Sequence, residues 1–232
     1  MILHLKVDEA PLDFQVKKIL NAGYTARDQS QVRKHIEELK KEGVPTPKTI
    51  PVFFPKLADR ITTADEIEVL LSDTTSGEVE FALLFNRDEI YVGVGSDHTD
   101  RKLEQYSIIV AKQMCPNIIS NEVWRYEDLK DHWDSLIMRS WVENNGQREL
   151  YQEANLGTFL DVDDLISRVE ELVNGDTDGL VFYAGTIPVL SGEMCFSLRF
   201  EAELADETTG KSLRCAYNVK PVSWFKGDMQ PD

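Results

Sequence analysis

Hydrophobic and polar positions divide the chain into a mixed N-terminal stretch and a longer β-rich stretch. Residues 1–7 alternate, which predicts a strand. Over Asp13–Asn21, Phe14, Val16, Ile19 and Leu20 have helical spacing, with Gly23 as the stop. A second helix is predicted over Ser30–Glu42. Ser30 is its N-cap, Val32, Ile36 and Leu39 share a face, and Gly43 suits the C′ position. The prolines of Val44–Pro51 break helix and lead into an extended Val52-Phe-Phe. From residue 66 the period becomes that of strands: Ile67–Leu71, Val79–Phe85 and Ile90–Gly95, with a turn at Asn86–Glu89. A helix is predicted over Asp100–Met114, then an irregular polar stretch over 116–135. Strands follow at Leu136–Val142 and Glu149–Glu153, then a helix over Val162–Val173 between Asp161 and Gly175. Three further strands are predicted near 179–184, 194–204 and 212–220. Few helices, gathered toward the N-terminal half, give an α+β class. The expected organisation is a strand and helix region over 1–65 and a β-rich core over 66–232, within a single globular unit.

Composition narrows the function more than the fold. The 232 residues carry 41 Asp and Glu against 25 Lys and Arg, a net charge of −16. Broad nucleic-acid binding needs a basic surface, so that class is excluded, as is docking on anionic lipid. No apolar run approaches the roughly 20 residues of a membrane span. Met1–Asp8 does not read as a signal peptide, because Lys6 and Asp8 interrupt its apolar run. Cys115, Cys195 and Cys215 have neither zinc-ligand nor CxxC spacing, which predicts reduced thiols and a cytoplasmic protein.

The candidate chemistry lies in the hairpin of residues 78–97. Glu78 and Glu80 are two apart, so on a strand they share a face. If the turn is centred on Arg87 and Asp88, Phe85 faces Ile90. Counting back along both strands, Glu78 then faces Asp97, and directly opposed residues point to the same side. Three carboxylates held together repel one another unless a positive charge sits among them. A hard divalent cation, Mg²⁺, Mn²⁺ or Ca²⁺, suits an all-oxygen set. The bland alternative is a solvated strand face, to which a lone E-x-E most often belongs. Upstream, His35 and Glu38 are three apart on the predicted helix, a spacing suited to a general-base dyad or simply to a charged helix surface.

Together these residues resemble the fumarylacetoacetate hydrolase superfamily in its short single-domain form. More narrowly they resemble a bacterial branch of it known as a domain of unknown function. Gly23-Tyr24 followed by His35-Ile-Glu-Glu38 is similar to the family's lid segment. Pro51-Val-Phe-Phe-Pro-Lys56 resembles its P-x-x-F-x-K, Glu78-Val-Glu80 its metal pair, and Asp97-His-Thr-Asp-Arg101 its D-x-[ST]-x-R. Lys112 stands where the family has an active-site lysine. Tyr151-Gln152 resembles its R-Q element and Gly185-Thr186 its G-T-P loop. The chain departs from the pattern in the lid, which lacks an Asn, at Ser96 and Asp100, and in Ile187-Pro-Val-Leu, where a G-V-G is expected. Each departure lies around the substrate.

The resemblance implies a mixed β-sandwich or roll with a few peripheral helices, an N-terminal lid within 1–65, and a catalytic core over 66–232. It implies a metal, Mg²⁺ or else Mn²⁺ or Ca²⁺, on Glu78, Glu80 and Asp97. His35, Glu38 and Lys112 would be catalytic. Tyr24, Lys56, Arg101, Gln152, Gly185 and Thr186 would bind a small anionic 2-oxo acid. The implied reaction is C–C hydrolysis of an acylpyruvate or fumarylpyruvate type of acid through a metal-stabilised enolate. Decarboxylation, isomerisation or hydration on the same scaffold, or binding without turnover, are the alternatives. A homodimer is also implied.

Overall fold

The computed structural model describes residues 1–41, 47 and 49–225; at 35 and 38–41 it describes the helical backbone alone. In chain order the strands and helices are β1 (Ile2–Val7), β2 (Ala10–Gln15), β3 (Lys18–Gly23), α1 (Gln29–Lys41), β4 (Val52–Lys56), β5 (Ile61–Thr62), β6 (Glu66–Val69) and β7 (Thr75–Ser76). There follow β8 (Val79–Asn86), β9 (Glu89–Asp97), β10 (Thr99–Asp100), α2 (Arg101–Glu104), α3 (Ile108–Met114), β11 (Asn117–Ile119) and β12 (Trp124–Arg125). The remainder is β13 (Ile137–Asn144), β14 (Gln147–Asn155), α4 (Val162–Leu172), β15 (Leu180–Ala184), β16 (Arg199–Asp206) and β17 (Lys211–Pro221). No helix among the described residues is long and apolar enough to cross a membrane.

Two sheets form the body. The larger runs β4-β3-β15-β8-β9-β11-β5, with β12 also on β9; the smaller runs β14-β13-β16-β17-β6. Their facing sides make the main core. Val79, Phe81, Leu83 and Phe85 of β8 point into it, with Met138, Phe200, Leu204 and Tyr217 opposite. Trp133 is buried in the same core, its ring edge-on to Phe81 at 5.2 Å. The other side of the larger sheet carries a second apolar cluster. There Ala82 and Leu84 of β8 meet Leu3, Leu5, Val7 and Phe14 of the β1–β2 hairpin. β8 is therefore buried on both faces, which explains its nearly unbroken apolar run. The α+β reading describes this architecture.

The helix predicted over Asp13–Asn21 is instead the end of β2 and most of β3. Phe14 and Val16 alternate with polar Asp13 and Gln15 and are buried. Ile19–Ala22 are buried on both faces because β3 lies inside the larger sheet, between β4 and β15. A short continuous apolar run of this kind has no period that separates strand from helix. Asp8 and Glu9, both at positive φ, make the tight turn that joins β1 to β2.

Other expectations shift less. α1 occupies the predicted place, while Glu42 and its Gly43 stop lie outside the described residues. The helix predicted over Asp100–Met114 is two helices. Asp100 caps α2, and Ser107 accepts from the Val110 N–H to start α3. The stretch read as irregular contains β11, β12 and short 3₁₀ turns at 126–128 and 130–135. The strand expected from 194 begins at Arg199.

Candidate metal centre and active cleft

The β8–β9 hairpin has the register derived from its turn. Asn86 pairs with Glu89, Phe85 with Ile90 and Val79 with Ser96. One step further, the Asp97 N–H donates to the Glu78 carbonyl at 3.2 Å. Glu78 and Glu80 therefore continue the face that carries Ala82 and Leu84, past the end of the apolar cluster, and Asp97 joins them there. One oxygen from each carboxylate of Glu78, Glu80 and Asp97 lies within 4.8 Å of the others. Glu80 and Asp97 are buried; Glu78 is partly open to the cleft. Gly95 pairs with Glu80, and a side chain there is impossible: its Cβ would sit 2.0 Å from the Ile118 carbonyl oxygen.

The neighbouring cations are shared unequally. Lys112, from α3, donates to Asp97 Oδ2, and Lys56, at the end of β4, lies 3.4 Å from Asp97 Oδ1. Lys56 also donates to Asn117 Oδ1 at 2.5 Å, and Asn117 donates to Asn21 at 3.1 Å, all in the buried interior. Arg101 reaches Glu78 at 3.3 Å, Glu104 at 3.0 Å and Ser76 Oγ at 2.7 Å. None of these described contacts reaches Glu80. Glu80 Oε1 accepts from Thr186 at 3.2 Å, and its buried Oε2 has no partner.

Protonation follows this distribution. Burial, with Asp97 beside it, pushes the Glu80 carboxyl well above its usual range. Burial would also raise Asp97, but Lys112 and then Lys56 hold it below the usual carboxylate range. Burial alone would lower Lys112; Asp97, Glu78 and Glu80 keep it charged. Burial lowers Lys56, against the pull of Asp97. A buried carboxylate with an orphaned oxygen is costly. Two further carboxylates in reach make an all-oxygen set, so the residues present fit a hard divalent cation.

Beside the triad lies a cleft of about 480 Å³. Tyr24 and Val32, Phe54 of β4, Ile108 and Lys112 of α3, Glu104 of α2, and Thr186–Val189 after β15 line it, with Glu78 at its base. Tyr24 has φ of +59°, an uncommon conformation for an aromatic residue. Burial and then Glu104 raise its phenol, which stays protonated. Gly185, with φ of +104°, turns the chain out of β15 into the loop.

The structure thus brings Glu78, Lys112, Tyr24 and Thr186 into the cleft lining and places buried Glu80 and Asp97, with Arg101, beside them. It places Lys56 behind Asp97. Gln152 is buried one layer away. It accepts from the Val79 N–H at 3.1 Å and donates to the Ile187 carbonyl at 2.6 Å, so it fastens the loop to β8. His35 and Glu38 lie on α1, and their side chains fall outside the described residues. His98 faces the other way, 2.9 Å from the Tyr217 hydroxyl, and burial pushes it down to about 3. Sequence reading missed Glu104, although it follows Arg101 at helical i,i+3 spacing. It also missed Asn21 and Asn117, which no local pattern joins.

No curated protein matches the sequence. Solved structures do. A Burkholderia cenocepacia protein solved under the name of a fumarylpyruvate hydrolase has a TM-score of 0.64 at 17% identity, covering 94% of this chain and 91% of that one. Fumarylacetoacetate hydrolase from Exiguobacterium antarcticum has a TM-score of 0.59 at 16% identity, covering 93% and 80%. A 2-keto-3-deoxy-D-arabinonate dehydratase complexed with magnesium and 2,5-dioxopentanoate has a TM-score of 0.62 at 14% identity, covering 94% and 78%. At these identities the likeness is one of fold. Residues 22–217 match the family described as "Protein of unknown function (DUF2848)". The chain belongs to that family, and its fold is that of the fumarylacetoacetate hydrolases.

Proposed function

We propose that this protein hydrolyses a C–C bond in a small 2-oxo or 1,3-diketo acid, with a divalent cation held by Glu78, Glu80 and Asp97. The observation that carries the reading is the orphaned, buried Glu80 Oε2 within a three-carboxylate set. When bound, Mg²⁺, or Mn²⁺ or Ca²⁺ in its place, supplies Lewis-acid charge to the keto and carboxylate oxygens of the acid. Lys112, kept charged at the cleft wall, adds positive charge beside them. Thr186 and the loop it begins orient the acid's head against Glu80. Tyr24, protonated, offers a hydroxyl from the cleft lining. His35 and Glu38 are the residues we assign to water activation, since α1 borders the cleft through Val32. Water, giving a proton to the His35–Glu38 pair, adds to the keto carbon remote from the carboxylate. The bond from that carbon to the CH2 between the two carbonyls breaks, and the acyl part leaves as a carboxylic acid. The CH2 takes up the proton to become the methyl or methylene carbon of the 2-oxo acid.

A second reading is dehydration or hydration of a 2-oxo acid, supported by the magnesium-bound dehydratase of the same fold. We further propose that the protein is a cytoplasmic homodimer; a gel-filtration mass near 26.5 kDa would contradict the dimer. The deciding experiment offers acylpyruvates, fumarylpyruvate, oxaloacetate and 2-keto-3-deoxy sugar acids to the purified protein, with Mg²⁺ or Mn²⁺ and with chelator. Metal-dependent cleavage of an acylpyruvate or of fumarylpyruvate is expected. No metal-dependent turnover on any of them overturns both readings.

A further inference from the structure

The lining of the cleft is chemically of two kinds. Its base carries Glu78 and Lys112 beside the triad. Apolar side chains, Val32, Phe54, Ile108, Ile187, Pro188 and Val189, make most of the rest of its lining, with Tyr24, Thr25 and Glu104 among them.

The charged residues that line the cleft among those described are Glu78, Glu104 and Lys112. Lys112 is engaged with Asp97. Arg101 does not line the cleft: its Nη1 donates to Glu104 and its Nε to Ser76, and its buried Nη2 lies 3.3 Å from Glu78. A carboxylate at the far end of a substrate would therefore meet apolar walls, no unengaged cation among the described residues, and the like charge of Glu104. Desolvating an unpaired carboxylate is strongly unfavourable, and a like charge nearby adds to the cost. An alkyl or aryl group at the same place gains from leaving water.

We infer that the apolar lining of this cleft takes an uncharged, apolar substituent, so that the substrate is a monocarboxylate with an apolar tail rather than a dicarboxylate. Glu104 sets that preference twice, by its own charge and by holding Arg101 away from the ligand. The inference rests on the proposed reading of the head-binding end, and the two can fail separately.

The test measures binding without turnover. Oxalate, 2-oxohexanoate and 2-oxoadipate are titrated calorimetrically into the full chain with Mn²⁺. Oxalate reports the head-binding end. The other two have equal length and differ in ending as a methyl group or a carboxylate. We expect oxalate to bind and 2-oxohexanoate to bind at least tenfold tighter than 2-oxoadipate. If oxalate binds and 2-oxoadipate matches or exceeds 2-oxohexanoate, the apolar-tail inference falls and the proposed function stands. If oxalate does not bind, the head-binding reading falls and takes this inference with it. In Glu104→Gln the ratio should shrink at least threefold; an unchanged ratio removes Glu104 as its source.

Discussion

Thr186 donates its hydroxyl to Glu80 Oε1 at 3.2 Å, joining the loop after β15 to the one triad carboxylate that no described cation touches. Thr186→Val removes that donor and leaves Glu80 harder to ionise. Mn²⁺ affinity should fall about fivefold, the equivalent of a single hydrogen bond of about 1 kcal/mol. Electron paramagnetic resonance titration of free Mn²⁺ reads this directly, and unchanged affinity would show that the contact does not support the metal site.

Glu80→Gln separates metal binding from folding. A neutral amide of nearly the same shape relieves a buried carboxylate, so the metal-free variant should melt at or above the wild-type temperature. Its Mn²⁺ affinity should fall at least a hundredfold. A variant that keeps both its metal affinity and its metal-induced rise in Tm would sink the triad assignment.

Metal binding should release a proton. Glu80 is pushed above the ordinary carboxyl range by burial and by Asp97, so the metal-free fold holds that proton to higher pH than an unfolded chain does. The sign follows from that direction. The stabilisation from this proton is present below the ordinary Glu value of about 4.3 and is lost as pH rises through the elevated folded value. Metal needs the ionised form, so affinity should rise over the same window. Calorimetry in two buffers of different ionisation enthalpy measures the released proton; identical apparent enthalpies would contradict it.

Lys112→Met should make the fold depend on metal. Asp97 is fully buried, and losing its closest cation should cost about 3 kcal/mol, toward the low end for a broken buried pair because Lys56 remains at 3.4 Å. Bound Mg²⁺ should restore part of that loss. The rise in Tm on adding Mg²⁺ should therefore be larger for the variant than for the wild type. Equal rises would mean that Lys112 and the metal do not share Asp97.

Gly185→Ala tests the turn that delivers the loop. With φ of +104° and a Cβ only 2.8 Å from Met138 Cε, alanine forces the backbone or the core to move. A loss of more than about 1 kcal/mol is expected, together with weaker oxalate binding. A variant with unchanged denaturant midpoint and oxalate affinity would show that this conformation is not needed.

What could be read from the sequence follows the range of the interactions. The approach of Glu78 to Asp97 was legible because one tight turn fixes every pair behind it, and the alternation of Val79, Phe81, Leu83 and Phe85 set the faces. β2 and β3 were not legible as strands, because pairing with β1 and β15 overrides the local spacing of Phe14, Val16, Ile19 and Leu20. The Lys56–Asn117–Asn21 chain joins residues up to 96 positions apart, and nothing local marks any of them as buried. The cleft wall is similar: Val32, Phe54, Ile108 and Val189 share no motif and meet only through tertiary packing.

The position of the three carboxylates on a single hairpin has an evolutionary consequence. A one-residue insertion within β9 would turn Asp97 away from Glu78 and Glu80, so the hairpin must be inherited as a block. The cleft walls come instead from α1, β4, α3 and the loop after β15, each free to change one residue at a time. Under the proposed reading, a lineage built this way can exchange one substrate tail for another by small steps while the three-carboxylate end stays as it was.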